Sequence, residues 1–283
     1  MKTKILLPTD FSKNAWNAIS YATDLFKDKE CEFYILNVYT VTGYALESMM
    51  VPEPGEMEFE RAKKSSEKGL AKILEMLSFR DPNDNHSFYT ISQFNSLLEG
   101  LKDIVEKKDI DMVIMGTKGS SNASGVVFGS NAILTMEKLR NCPVIAVPEE
   151  ARFGTLKEIV FPTSYKTHFK HRELHYLTEI AKLTKAAIRI VHLAEDDELD
   201  ATQENNKRLL EESFEDVDYT FHFLHGSAIS DAVRYFVESR DSDMIAFINK
   251  KHTFFGSIFS RPMVKEIGMY ARVPIMALHD FRN

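Results

Sequence analysis

With 283 residues, 44% of them apolar and 27% charged, the chain has the make-up of a globular protein with room for two ordinary domains. A formal net charge of −7 excludes general affinity for nucleic acid or acidic membranes, which needs a basic footprint. Two cysteines, Cys31 and Cys142, give no disulfide framework, and no stretch reaches the roughly 18 to 20 apolar residues of a membrane helix. The apolar run at the start is too short for a signal peptide, so the expected setting is the cytoplasm.

In chain order, short apolar runs at Ile5 to Leu7, Phe33 to Val38, Phe88 to Ile91, Met112 to Met115 and Val144 to Val147 read as buried strands. Helical spacing separates them: Ala15, Ile19, Ala22 and Phe26; Leu70, Ile73, Leu74 and Leu77; Leu97, Leu98, Leu101, Ile104 and Val105; Ile133, Leu134 and Met136. Val41 to Glu58 carries Gly43, Pro52, Pro54 and Gly55 and is expected to be a long loop. A join, Pro148 to Gly154, leads to a second series at Ile159 to Phe161, Ile188 to Leu193, Tyr219 to Leu224, Met244 to Ile248 and Ile275 to Leu278.

The second series repeats the first. Ile5-Leu6-Leu7-Pro8-Thr9 returns as Ile159-Val160-Phe161-Pro162-Thr163, and Asp111-Met112-Val113-Ile114-Met115 as Asp243-Met244-Ile245-Ala246-Phe247. Cys142-Pro143-Val144-Ile145-Ala146-Val147 returns as Val273-Pro274-Ile275-Met276-Ala277-Leu278. The reading is a tandem α/β protein of two doubly wound domains, residues 1–149 and 155–283. Each is a five-stranded parallel sheet with helices on both faces, because parallel strands need crossover helices.

Gly116-Thr117-Lys118-Gly119 follows the fourth strand, and Gly129-Ser130 opens the next helix. Ligands of parallel α/β sheets sit beyond the carboxyl ends of the strands. There Gly116 would allow a sharp turn, Gly119 a close backbone approach to phosphate, and the helix start at Gly129-Ser130 an anion site, with Ser130 as a cap. The spacing is neither a Walker loop nor a GxGxxG fingerprint.

This Gly-x2-Gly-x9-Gly-Ser spacing, with Pro8-Thr9-Asp10 ending the first strand, resembles the ATP-binding type of the universal stress protein family, whose fold is adenine nucleotide alpha hydrolase-like. The resemblance implies that Gly116, Gly119, Gly129 and Ser130 meet phosphates and ribose, that Asp10 lies at the nucleoside end, and that main chain near Val38 meets adenine. Pro8, Thr9, Met115 and Asn131 flank these positions. It further implies pairing of Val144 to Val147 with Ile275 to Leu278, an intramolecular pseudo-dimer, with a further homodimer left open. In the second copy Ile248, Lys251, Ser260, Arg261 and Ser164 stand where Gly116, Gly119, Gly129, Ser130 and Asp10 stand in the first, so ATP, with or without magnesium, is expected in the first copy alone.

Eight of the nine histidines fall in the second copy. His168, His171 and His175 share a helical spacing on one helix face, and His168, His192 and His225 lie near one rim, where zinc is the alternative to scattered rim histidines; no metal site is assigned. No nucleophile elbow, HExxH or activated cysteine marks a catalytic residue. The expected role is a regulatory, stress-response nucleotide-binding module. The alternatives are slow ATP hydrolysis, with Asp10 on magnesium and Lys118 offsetting charge, or a scaffold that binds nothing.

Overall fold

Ten strands and seven helices form among the residues that the computed structural model describes: 2–41, 56–119, 128–166, 168–194, 198–225, 229–249 and 272–279. The first half alternates β1 (Thr3–Pro8), α1 (Lys13–Leu25), β2 (Cys31–Tyr39), α2 (Glu56–Ser78), β3 (His86–Phe94), α3 (Leu97–Lys108), β4 (Met112–Gly116), α4 (Ser130–Lys138) and β5 (Val144–Val147). The second gives β6 (Glu158–Thr163), α5 (His171–Thr184), β7 (Ala187–Ala194), α6 (Ala201–Ser213), β8 (Tyr219–His225), α7 (Ile229–Arg240), β9 (Met244–Asn249) and β10 (Ile275–His279). The loop expected over Val41 to Glu58 is shorter at its end, because α2 already begins at Glu56; residues 42–55 lie outside the described residues.

All strands join one sheet in the order β3-β2-β1-β4-β5-β10-β9-β6-β7-β8. Within each half every pairing is parallel. The halves meet along an antiparallel seam, with Ile275 opposite Ala146, Met276 opposite Ile145 and Ala277 opposite Val144. The strands read as continuous apolar runs because both faces are covered. Ile5, Leu7, Phe33, Ile35, Ile159 and Phe161 point to one face, packed under α1, α2, α5 and α6. Leu6, Leu36, Val113, Val160, Ile245 and Ala277 point to the other, under α3, α4 and α7. Each of these two apolar layers runs through both halves without a break.

Contacts across the seam mirror each other. The carboxylate of Asp243 adds to burial in pushing the Tyr21 hydroxyl up, and that of Asp111 adds to burial in doing the same to Tyr176. Lys29 also reaches Glu179 at 3.4 Å. In α1 the Asn17 amide donates to the carbonyls of Pro148 at 2.9 Å and Ala151 at 2.7 Å, which pins the join between the halves.

Candidate functional site

Strand order reverses between β1 and β4, and this switch point opens a crevice at their carboxyl ends. A cavity of about 210 Å³ lies there. It brings together Pro8, Thr9, Asp10, Val38, Met115, Gly116, Gly119, Gly129, Ser130 and Asn131, and adds Ala15, Thr40, Asn95, Leu97, Thr117, Lys118 and Ala132. Of the added residues Thr117 was legible, since it stands between two glycines; Asn95 and Leu97 arrive because β3 ends beside β2 and α3 packs on β1 and α4.

Hydrogen bonds fix the end of β1. The Thr9 N–H donates to the Leu36 carbonyl at 2.8 Å, and the Thr9 carbonyl accepts from the Asn37 amide at 2.7 Å. Phe11 then takes a left-handed backbone, φ 66°, with its N–H on Thr9 Oγ1 at 3.0 Å. The Ser12 N–H holds Asp10 Oδ1 at 3.1 Å, while Ser12 Oγ accepts from the Ala15 N–H at 3.2 Å and caps α1. Asp10 is thereby set on the exposed rim at the mouth of the cavity.

Gly116 is needed for closeness rather than for a turn, whereas Gly119 meets only the tip of the exposed Asp10 side chain. A Cβ on Gly116 would stand 2.3 Å from Asn14 Oδ1, and one on Gly119 would stand 2.9 Å from Asp10 Oδ2; neither residue has a left-handed backbone. The sharp turn expected at Gly116 is therefore not its reason: α1 starts against it. Asn14 Oδ1 is buried without a hydrogen-bond partner, while its amide reaches Thr117 Oγ1 at 3.3 Å. The Thr117 carbonyl accepts from the Gly129 N–H at 2.7 Å, which ties the two glycine stretches together.

Ser130 is not the cap of α4. Gly129 holds that position at φ −77°, ψ 161°, and no side chain caps the helix. The N–H groups of a first helical turn lack intrahelical acceptors, so those of Ser130, Asn131 and Ala132 stand at the cavity wall with a positive helix end behind them. Lys118 lies 3.8 Å from Glu149, so its charge is already partnered.

The second half keeps the Pro-Thr end of its first strand and departs from this design at the counterparts of Asp10 and Gly116. Strand registers place Thr9 with Thr163, Asp10 with Ser164 and Gly116 with Ile248. Tyr165 repeats the left-handed turn of Phe11 at φ 55°, but Ser164 and Tyr165 are buried where Asp10 is exposed. The first helix begins at His171, the counterpart of Asn17, rather than at the counterpart of Lys13. An isoleucine side chain at the end of β9 stands where the start of α1 packs on bare Gly116. Lys251, Ser260 and Arg261 lie outside the described residues.

The histidines of the second half have separate surroundings. His168 precedes α5, so it shares no helix face with His171 and His175. His192 is buried, stacked on Tyr165 at 4.6 Å, with Nδ1 3.1 Å from the Thr163 carbonyl. The His225 side chain lies outside the described residues, and among those described no cluster of three potential metal ligands forms.

A larger cavity, about 440 Å³, lies at the opposite end of the second half, between the join, α7 and the approaches to β9 and β10. Arg272, on its wall, directly follows a stretch outside the described residues, and among the described residues on its wall Gly154 is the one glycine. The smaller crevice is the one that holds the glycine stretches and the start of α4.

A parallel sheet with a switch-point crevice and helices on both faces defines an α/β protein of the adenine nucleotide alpha hydrolase-like fold. The sequence pattern of the universal stress protein family matches residues 1–148, about half of the chain, and the chain belongs to that family. It is 27% identical over 154 residues to universal stress protein MJ0531 of Methanocaldococcus jannaschii, covering 51% of this chain and 81% of that one. In structure it is similar to a universal stress protein from Archaeoglobus fulgidus, with a TM-score of 0.72 over 98% of both chains at 17% identity. A putative universal stress protein from Pseudomonas aeruginosa has a TM-score of 0.59 over 98% of this chain and 93% of its own, at 12% identity. At these identities the structural likeness shows the fold alone.

Proposed function

We propose that the first half binds an adenine nucleotide, ATP with or without magnesium, and that the protein acts as a regulatory nucleotide-binding module in a stress response. Residues 1–149 and 155–283 would then be two copies of one domain, docked as an intramolecular pair, with only the first equipped for the ligand. The observation that carries this reading is the coincidence in one crevice of a glycine with no room for a Cβ, Gly116, bare main chain at Gly119 and Gly129, and a helix start with no side-chain cap. Main chain at Gly116, Gly119 and Gly129 and the α4 N–H groups fit a polyphosphate, because bare backbone can approach oxygen anions closely. Pro8, Thr9, Asp10, Val38, Met115, Ser130 and Asn131 would line the sugar and base. Bound ATP would supply anionic charge and binding energy that stabilises this form of the chain.

Hydrolysis is the weaker reading. Lys118 is paired with Glu149, and among the described residues lining the crevice the one carboxylate, Asp10, is held by the Ser12 N–H. Calorimetry with ATP on the native chain and on the double variant Gly116→Val, Gly129→Val tests both. Binding without turnover, lost in the variant, is expected. Turnover above about one per second, an ordinary enzyme rate, would favour hydrolysis; no binding by the native chain would leave a scaffold.

A further inference from the structure

The second half, at the place where it has lost its glycine, holds the far end of the helix that lines the first half's crevice. Registers make Asn249 the counterpart of Thr117. Thr117 is engaged within its own half by Asn14, but α5 starts too late to offer an equivalent of Asn14. Asn249 reaches across the seam instead: its amide donates to the carbonyl of Met136 at 2.8 Å and lies 3.3 Å from that of Glu137. Both carbonyls belong to the last turn of α4, where no intrahelical donor exists. Arg140, just past the end of α4, donates back through Nη1 to the Asn249 carbonyl. The end of α4 and the tip of β9 are thus tied in both directions.

α4 has 9 residues and so is about 13 Å long. A rod that short passes a displacement at one end to the other, and hydrogen bonds weaken steeply with distance and angle. We propose that Asn249 is a positioning residue for anion binding in the first half: it fixes α4 so that the N–H groups of Ser130 and Asn131 meet the phosphates. The proposal rests on the nucleotide reading above and deepens it, for it makes the second half part of the first half's binding apparatus.

The test compares ATP with adenosine, which shares the base and sugar but has no phosphate to meet α4. Asn249→Ala should weaken ATP about three- to tenfold, the range one hydrogen bond carries, and leave adenosine binding unchanged. Asn249→Asp, which keeps the size but sets a carboxylate against the negative end of α4, should be at least as weak for ATP. Hydrogen exchange in residues 130–138 should speed up in both variants without ligand, while exchange in β1 stays as in the native chain. Unchanged ATP affinity in Asn249→Asp, equal losses for ATP and adenosine, or unaltered exchange in α4 would each overturn the proposal while leaving the nucleotide reading in place. A native chain that binds neither ligand overturns the nucleotide reading and this one with it.

Discussion

His192 stands in β7 where Asn37 stands in β2, and each lies within hydrogen-bond distance of the main-chain carbonyl of the threonine that closes the neighbouring strand, Thr163 at 3.1 Å and Thr9 at 2.7 Å. The same junction is thus braced by an amide in one half and an imidazole in the other. The imidazole also stacks on Tyr165 and meets the edge of Phe223. His192, one of the rim histidines, is a brace.

His192→Asn should keep the bond to Thr163 and lose the stacking, for a cost of about 1 kcal/mol. Urea unfolding measures this. Zinc should leave the native midpoint where it is; a zinc-dependent rise that disappears in the variant would restore the metal reading.

Glu158, at the start of β6, is buried between Arg189 Nε at 2.6 Å, Arg240 Nε at 2.8 Å and Ser242 Oγ at 2.7 Å. Burial by itself would raise its carboxyl; the hydrogen bonds from Arg240, Arg189 and Ser242 outweigh that and hold it at about 2, below its ordinary 4.5. The native form therefore binds fewer protons than the unfolded one in this window. Its stabilisation is complete above about pH 4.5 and is lost as pH falls toward 2. Glu158→Gln should destabilise by about 2–3 kcal/mol, the low side of a broken buried pair because both arginines are partly exposed. It should also flatten the acid limb of a stability–pH curve over that window.

His279 gives a different pH signature. It ends β10 beside Asn249, fully buried, with neither ring nitrogen hydrogen-bonded. Burial first, and then the charge of Arg140, lower it from 6.5 to about 3. Here the unfolded form binds more protons once pH drops below 6.5, so stability is full above that value and declines as pH falls toward 3. His279→Leu should remove the decline between pH 6.5 and 4.5, the part of the range that Glu158 does not touch, and gain about 1 kcal/mol at neutral pH by deleting two orphaned nitrogens. A variant with the native slope would show that other groups set it.

Cys31 and Cys142 are free and buried. Burial pushes the Cys31 thiol up to about 12 and raises that of Cys142 as well. Since the thiolate is the reactive form, a disulfide reagent should modify neither in the native chain and both in guanidinium. Fast native labelling of either would mean that its layer opens.

Patterns local to the chain were legible. The apolar runs gave the strands, with ends extended by no more than three residues, since period and turn residues act over short range. The glycine positions and the repeat were likewise plain. What a glycine does was not, because the atom that excludes a Cβ at Gly116 belongs to Asn14, at the far end of two crossovers. Ser130 read as a cap because cap preference is a matter of residue type, whereas the backbone put Gly129 in that place. The shared face of His168, His171 and His175 failed because the helix starts only at His171, a boundary that residue spacing does not fix.

The antiparallel seam between β5 and β10 joins unlike halves through a tether of residues 148–157. Tethering of this kind holds each half opposite its mate at an effective concentration of millimolar order, which favours pairing within a chain over pairing of like halves from two chains. Assembly then no longer depends on both members keeping the same pocket. One sequence segment is released to drift in chemistry while still being held to its shape, and that asymmetry is open to any duplicated gene whose product pairs with itself.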